Sequence, residues 1–272
     1  MRNLPLNARW VVVTGASSGL GREIARDLAK RHHSHLILVA RRRERLVELK
    51  TELEANYGIE ARVITADLSR REDVDRLFAE STNGPDVQAV ILNAGITHFG
   101  HHHELSWEDF EAMLDTNVKS AARLTHHFVP YLLGKDHGGA LMLVTSMTGL
   151  VPVPYQTAYS STKAFLTTFG LGLNHELAGR NISITTFAPG GIVTEMTEGN
   201  GLAQHFGSMQ LAPAADVARQ AVDALVQRRY LSVPGGFNRF QLFLPRFLPR
   251  RLVGTVVARA YQKALLARPS KA

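Results

Sequence analysis

The sequence predicts a doubly wound, three-layer α/β sandwich built on a seven-stranded parallel sheet. Three observations carry that prediction. From Trp10 onward, short runs rich in Val, Ile and Leu alternate with longer segments of helical period, the pattern of stacked βαβ units around a sheet buried on both faces. A glycine-rich turn joins the first strand to the first helix. The chain's 272 residues, 45% of them hydrophobic, are enough for one large core that needs no staple.

The elements follow in order. The first strand, WVVVT at 10–14, leads through GASSGLG into a helix over 19–32. Strands at 35–40, 61–66 and 87–92 alternate with helices at 42–56 and 70–81. One long helix is expected over 106–133, then a strand at 139–145, a helix at 157–178, a strand at 181–187, a helix at 213–228 and a last strand at 230–233. Right-handed crossovers place these helices on both faces of the sheet. No linker or fixed-period repeat interrupts the rhythm, so residues 1–235 read as one domain and 236–272 as a C-terminal extension.

Composition excludes several classes. There is no cysteine, hence no disulfide, thiolate metal site or cysteine nucleophile. No apolar run reaches the roughly 18–20 residues of a bilayer span, and the N-terminal apolar stretch is too short for an export signal, so the expected compartment is cytoplasmic. The net charge of +7 is uneven: ten of the 31 basic residues and none of the 24 acidic ones follow Asp223. The basic character belongs to the tail and so says nothing about nucleic-acid binding by the main body; no nucleic-acid partner is expected.

Gly15, Gly19 and Gly21 allow tight turning and close backbone approach, and the helix that follows presents unpaired N–H groups to a pyrophosphate. Ser17, Ser18 and Leu20 complete this dinucleotide loop. In an NAD-selective site an acidic residue stands about 20 positions further on to bind the ribose 2′-hydroxyl. Here the count from Gly21 reaches Ala40, followed by Arg41 and Arg42. A guanidinium suits a 2′-phosphate, so NADP(H) is expected over NAD(H), with Arg41 the principal contact and Arg42 the second. The plainer reading is that three arginines open a solvated helix.

Ser146 stands at the end of the fifth strand, and Tyr159 and Lys163 follow in YSSTK. The four-residue step puts phenol and ammonium on one helix face, a turn apart. Tyrosine ionises near pH 10, so proton transfer near neutrality needs the phenolate stabilised by about 2–3 units, a field that an ammonium and a positive nicotinamide supply. The pair alone could be an ordinary surface couple on a helix.

The chain resembles a short-chain dehydrogenase/reductase of the single-domain subfamily. The resemblance rests on TGASSGLG at 14–21, ADL at 66–68, NAG at 93–95, Asn117 in DTNV, Ser146, Tyr159 with Lys163, and PGGIVT at 189–194, in the family's order over about residues 8–234. It implies a Rossmann-type fold and a division of labour in which the cofactor supplies hydride and the protein supplies orientation and a proton. Tyr159 is then the acid in carbonyl reduction and the base in alcohol oxidation. Ser146 polarises the substrate oxygen, Lys163 lowers the phenol's pKa and holds the nicotinamide ribose, and Asn117 anchors a water in a proton relay. Asp67 meets the adenine edge with Leu68 nearby, and Asn93, Ala94 and Gly95 line the cofactor floor. Pro189, Gly190, Ile192 and Thr194 pass under the nicotinamide, with a helix cap as the ordinary role of Thr194. Homodimers or homotetramers are also implied, and no metal is required.

The resemblance favours an NADP(H)-dependent oxidoreductase over its rival, a catalytically silent regulatory or scaffold protein of the same fold, because all four reacting positions are present. His98, His101, His102 and His103 read as a polar lining or exposed loop, since consecutive histidines cannot easily aim at one ion. Segment 195–212, with Gly199, Gly201 and Gly207, reads as a mobile lid whose Met196, Leu202, Phe206 and Met209 form an apolar wall opposite Met147, Val151, Val153 and Tyr155. A hydrophobic ketone or secondary alcohol is expected. In the extension, aromatic and aliphatic residues crowd between arginines, and a helix is expected from about 251 to 267 after breaks at Pro245 and Pro249. It either settles on anionic lipid or covers an apolar patch of its own or a neighbouring subunit.

Overall fold

The computed structural model of the chain describes residues 3–199, 211–243 and 247–266. Seven strands, β1 (Trp10–Thr14), β2 (His35–Ala40), β3 (Ala61–Thr65), β4 (Val87–Leu92), β5 (Gly139–Val144), β6 (Ile182–Phe187) and β7 (Leu231–Ser232), form one parallel sheet in the order β3-β2-β1-β4-β5-β6-β7. The order reverses between β1 and β4, and in such sheets ligands bind beyond the carboxyl ends of the strands at that switch point.

Alternation along each strand divides the core. Val11 and Val13 face one layer with Leu36, Leu38, Ala89, Ile91, Ala140 and Met142, where helices α1 (Gly19–His32) and α2 (Arg43–Tyr57) supply Ile24, Leu28, Leu46 and Leu49. Val12 faces the other with Ile37, Val39, Val90, Leu92 and Leu141, under α3 (Arg71–Thr82) and a long helical segment carrying Leu124 and Phe128. Every residue of β4, β5 and β6 is buried, as a sheet covered on both faces requires.

The helix expected over 106–133 departs from a uniform spiral. It runs as α4 (Trp107–Leu114), a π-helical turn over Asp115–Lys119, and α5 (Ser120–Leu133). The wide turn carries Asn117, which is completely buried; single π turns inside α-helices recur at functional sites. Helix α6 (Thr157–Glu176) follows β5, and α7 (Glu195–Gly199) and α8 (Ala214–Val226) follow β6.

The extension forms α9 (Gly236–Phe243) and α10 (Arg250–Leu266), separated by the two prolines. Val253 and Ala264 of α10 are buried, and Tyr261 meets the buried ring of Phe99 edge-on with centroids 6.1 Å apart. The tail therefore packs on the loop after β4 of its own chain. No helix among the described residues is long and apolar enough to cross a membrane.

Candidate active site

The chain crossing from β1 into α1 builds the first wall. Gly15 and Gly19 hold positive φ, at +70° and +52°, which L side chains rarely adopt. Gly21 has a different reason: a Cβ there would lie 2.4 Å from the Gly15 carbonyl oxygen and 2.6 Å from Asn93 Nδ2. The loop is stapled to the end of β4, because Asn93 donates from Nδ2 to the Thr14 carbonyl (3.0 Å) while Thr14 Oγ1 accepts from the amides of Asn93 (2.9 Å) and Ala94 (3.1 Å). Asn93 is thus a strut of the loop as well as part of its floor. Ser18 occupies the α1 N-cap without capping it, so the first amides of the helix are left for a ligand's phosphates.

Arg42, ranked second to Arg41 on spacing, is the arginine that binds the loop. Its guanidinium donates to Ser18 Oγ at 2.7 Å and to Ser17 Oγ at 3.2 Å. It also reaches Glu195 Oε2 at 2.9 Å, and Arg45 joins the same carboxylate, which these two guanidiniums hold below the usual carboxylate range. Thr194, next in line, packs its methyl against Gly19 and accepts at Oγ1 from the Thr197 amide (3.4 Å), capping α7. Residues 194–195 therefore lean from the β6 side onto the glycine loop and the arginines after β2.

The reacting groups meet beyond the ends of β4 and β5. Ser146 Oγ accepts from Thr148 N (3.2 Å) and Thr148 Oγ1 (3.0 Å). Its own hydroxyl hydrogen is left to bond the Tyr159 oxygen, an interaction that pulls the phenol's pKa down. Burial outweighs it and pushes the phenol up to about 12, the opposite direction from that needed for proton transfer at neutrality. Lys163, one turn along α6, donates from Nζ to the Val144 carbonyl at 3.0 Å and lies 5.7 Å from the centre of the Tyr159 ring. Burial pushes its ammonium down to about 8, which still leaves it mostly protonated at neutral pH.

Asn117 locks both hydrogen-bonding groups of Ile96: Oδ1 accepts from its amide (2.8 Å) and Nδ2 donates to its carbonyl (2.8 Å), with a further bond to Thr162 Oγ1 (3.1 Å). Its side chain stands back from the cavity wall. A Cβ at Gly95 would lie 3.2 Å from Asn117 Oδ1 and 3.4 Å from Lys163 Nζ, so the two flank one short stretch of backbone. Asp67 lines the cavity with Leu68, its carboxylate accepting from the Ser69 amide (3.0 Å) and hydroxyl (2.8 Å).

One cavity of about 1530 Å³ joins these groups. It exceeds the roughly 300–1,000 Å³ of ordinary small-molecule sites, leaving room for a dinucleotide and a second ligand. Gly15, Ser17 to Leu20, Arg41, Arg42, Asn93 to Gly95, Pro189 to Ile192 and Thr194 border its cofactor side. Met147, Val151, Val153 and Met196 wall the other side. Tyr155 instead packs beside Phe99 and Tyr261, and Gly201, Leu202, Phe206, Gly207 and Met209 lie outside the described residues. Phe237, Phe240, Leu252, Val256 and Tyr261 of the extension close the apolar side, which no motif in the chain assigns to them. Burial raises the Tyr261 phenol to about 12 as well. The signal was present: Val253, Val257, Tyr261 and Ala264 recur at three- and four-residue steps.

A glycine loop at the switch point of a parallel sheet, opening onto a buried serine and lysine and a part-buried tyrosine, could hold a dinucleotide beside groups able to handle a proton. The chain belongs to the short chain dehydrogenase family, whose family model matches residues 9–205. A very-long-chain 3-oxoacyl-CoA reductase from Anas platyrhynchos is 30% identical over 193 residues, which cover 70% of this chain and 61% of that one. The match thus spans less than two thirds of the relative's own length. A solved 7β-hydroxysteroid dehydrogenase superposes with a TM-score of 0.83 at 25% identity, covering 94% of this chain and 99% of the other. An alcohol dehydrogenase from the archaeon Thermococcus sibiricus, solved with 5-hydroxy-NADP, gives 0.73 at 28% identity, covering 83% and 95%.

Proposed function

We propose that the chain is an NADP(H)-dependent oxidoreductase that moves hydride between nicotinamide and a lipophilic carbonyl or secondary alcohol. The observation that carries this is the Ser146–Tyr159–Lys163 cluster at the base of a cavity continuous with the glycine loop. The cofactor, when bound, supplies or accepts the hydride.

The residues of the chain do the rest. Tyr159 holds its proton firmly and gives it up only to an oxygen on which negative charge develops; Ser146 donates to that same oxygen and polarises the carbonyl. Lys163, donating from Nζ to the hydroxyls of a bound ribose, would hold its ammonium beside the phenol and, with the positive charge of an oxidised nicotinamide, bring the phenol toward working range for the oxidative direction. Asn117 fixes Ile96 and, with it, the backbone beside Lys163, which suits a water relay there.

Arg42 supports NADP(H). It is already turned onto Ser17 and Ser18, where its guanidinium and two hydroxyls make a phosphate-sized cradle, and Arg41 borders the same space. The apolar wall supports a lipophilic substrate, as do the acyl-CoA and hydroxysteroid substrates in the relatives' names. A silent scaffold of the same fold would have no need to keep all four reacting side chains.

The test is oxidation of NADPH when hydrophobic ketones and aldehydes are offered, with Tyr159→Phe as control. That variant should keep cofactor binding and lose turnover. Unchanged turnover removes Tyr159 from the mechanism, and tighter NAD(H) than NADP(H) binding removes the assignment to Arg42.

A further inference from the structure

We propose that α9 and α10, with Phe247 ahead of α10, dock onto an anionic phospholipid bilayer, with the mouth of the cavity facing the lipid. The inference goes beyond the reaction proposed above, and its test uses no turnover.

The first observation is apolar surface that the fold leaves uncovered. Phe243 and Phe247 meet edge-to-face, centroids 5.2 Å apart, and are 54% and 74% exposed. Scattered apolar residues are ordinary on a surface, but two adjoining exposed phenylalanines just ahead of a helix with exposed aliphatic residues are more than scatter. That helix face is the second observation. With one side of α10 committed to the body through Val253, Tyr261 and Ala264, the opposite side presents Leu252, Val256 and Leu266 among Arg251, Arg259 and Lys263. Successive residues turn by about 100°, which puts these six within roughly the same half of the helix.

Charge selects the occupant. No acidic residue follows Asp223, so this face brought against its own copy about a two-fold axis would set guanidinium against guanidinium. An anionic bilayer satisfies both halves at once: rings and aliphatics enter the acyl boundary while the cations meet headgroups. The third observation ties the surface to the site. Phe240, Leu252 and Val256 are exposed and also border the cavity that holds Tyr159. A lipid-dissolved substrate would then reach the reacting groups without crossing water.

The experiment is flotation of the full-length chain with vesicles of phosphatidylglycerol and phosphatidylcholine in equal parts, and with phosphatidylcholine alone. Each basic residue near an anionic surface is worth about five-fold in partitioning. Arg251→Gln/Arg259→Gln/Lys263→Gln should therefore cut binding to the anionic vesicles on the order of a hundred-fold, and Phe243→Glu/Phe247→Glu should abolish it. Both variants alter exposed side chains outside the catalytic groups, and unchanged far-UV circular dichroism and melting confirm that they fold. Flotation of the unaltered chain that requires phosphatidylglycerol, fades with added salt and is lost in both variants establishes the docking. No flotation, flotation indifferent to lipid charge, or a dimer that the phenylalanine variant dissociates overturns it, the last in favour of a second copy of the chain.

Discussion

Replacing Lys163 with methionine should stabilise the cofactor-free protein while abolishing its activity. The ammonium is 3% exposed and burial pulls its pKa from 10.5 to about 8. At about 1.4 kcal/mol per unit, keeping that charge inside costs about 3 kcal/mol at neutral pH. Methionine keeps most of the apolar stem and removes the charge, at the loss of the bond to the Val144 carbonyl, worth about 1 kcal/mol net. The balance is a gain of about 2 kcal/mol, a rise in melting temperature of roughly 4–8 °C for a chain of this size. Its pH dependence has a fixed sign. Below pH 8 both folded and unfolded chains carry the proton, and the penalty is present in full. Between about 8 and 10.5 the unfolded chain binds more protons than the folded one, so the unaltered protein gains stability as pH rises and the variant's advantage disappears. Melting followed by circular dichroism at pH 7 and near pH 10 reads both effects. A variant no more stable at pH 7, or an advantage that persists at the higher pH, would refute the account of Lys163 as a charge held in a dry site.

Three further outcomes follow from the cofactor side. Arg42→Ala should weaken NADP(H) by about 10–100-fold, the worth of a charge-assisted pair, and leave NAD(H) nearly unchanged by calorimetric titration. Glu195 spends its carboxylate on Arg42 and Arg45, both well exposed, so each ion pair is worth less than about 1 kcal/mol. Glu195→Gln should then tighten NADP(H) by up to about five-fold, since the phosphate no longer competes with a carboxylate for Arg42; weaker binding in a fluorescence titration would show that Glu195 closes over the cofactor instead. Gly21→Ala forces a methyl against the Gly15 carbonyl, an overpacking that costs about 1–3 kcal/mol, and should lower both the melting temperature and cofactor affinity.

The same buried site explains a tension between the sequence and the structure. Tyr159 and Lys163 belong together because a four-residue step on α6 puts them on one face, and that much needs no coordinates. Spacing cannot say how dry the place is. Ionisation depends on every neighbouring element, and here burial moves both groups toward their neutral forms. The pairing was legible and the direction of its titration was not. The protein meets the cost of a charge in a dry cleft through the well-packed layers on either side of the sheet, whose buried strands are untouched by the chemistry.

What could be read from the residues followed the range of the interaction. Strands and glycine turns are set by neighbours in sequence, so all seven strands fall within a residue of their expected bounds, β7 losing one residue at each end at the sheet's edge. The π turn at 115–119 hid because one extra residue in a helical turn barely disturbs a period of 3.6, yet it sits where Asn117 must reach Ile96. Contacts across the chain were out of reach: Glu195 meets Arg42 from 153 positions away. In the extension the apolar steps at Val253, Val257, Tyr261 and Ala264 resembled a lipid-seeking face as much as a packing one. The fold separates the two by using both sides of α10. Its buried stripe packs on the body and its opposite stripe keeps the cations outward beside the cavity mouth, so packing on the body and settling on lipid, which the residues alone posed as alternatives, are compatible in one helix.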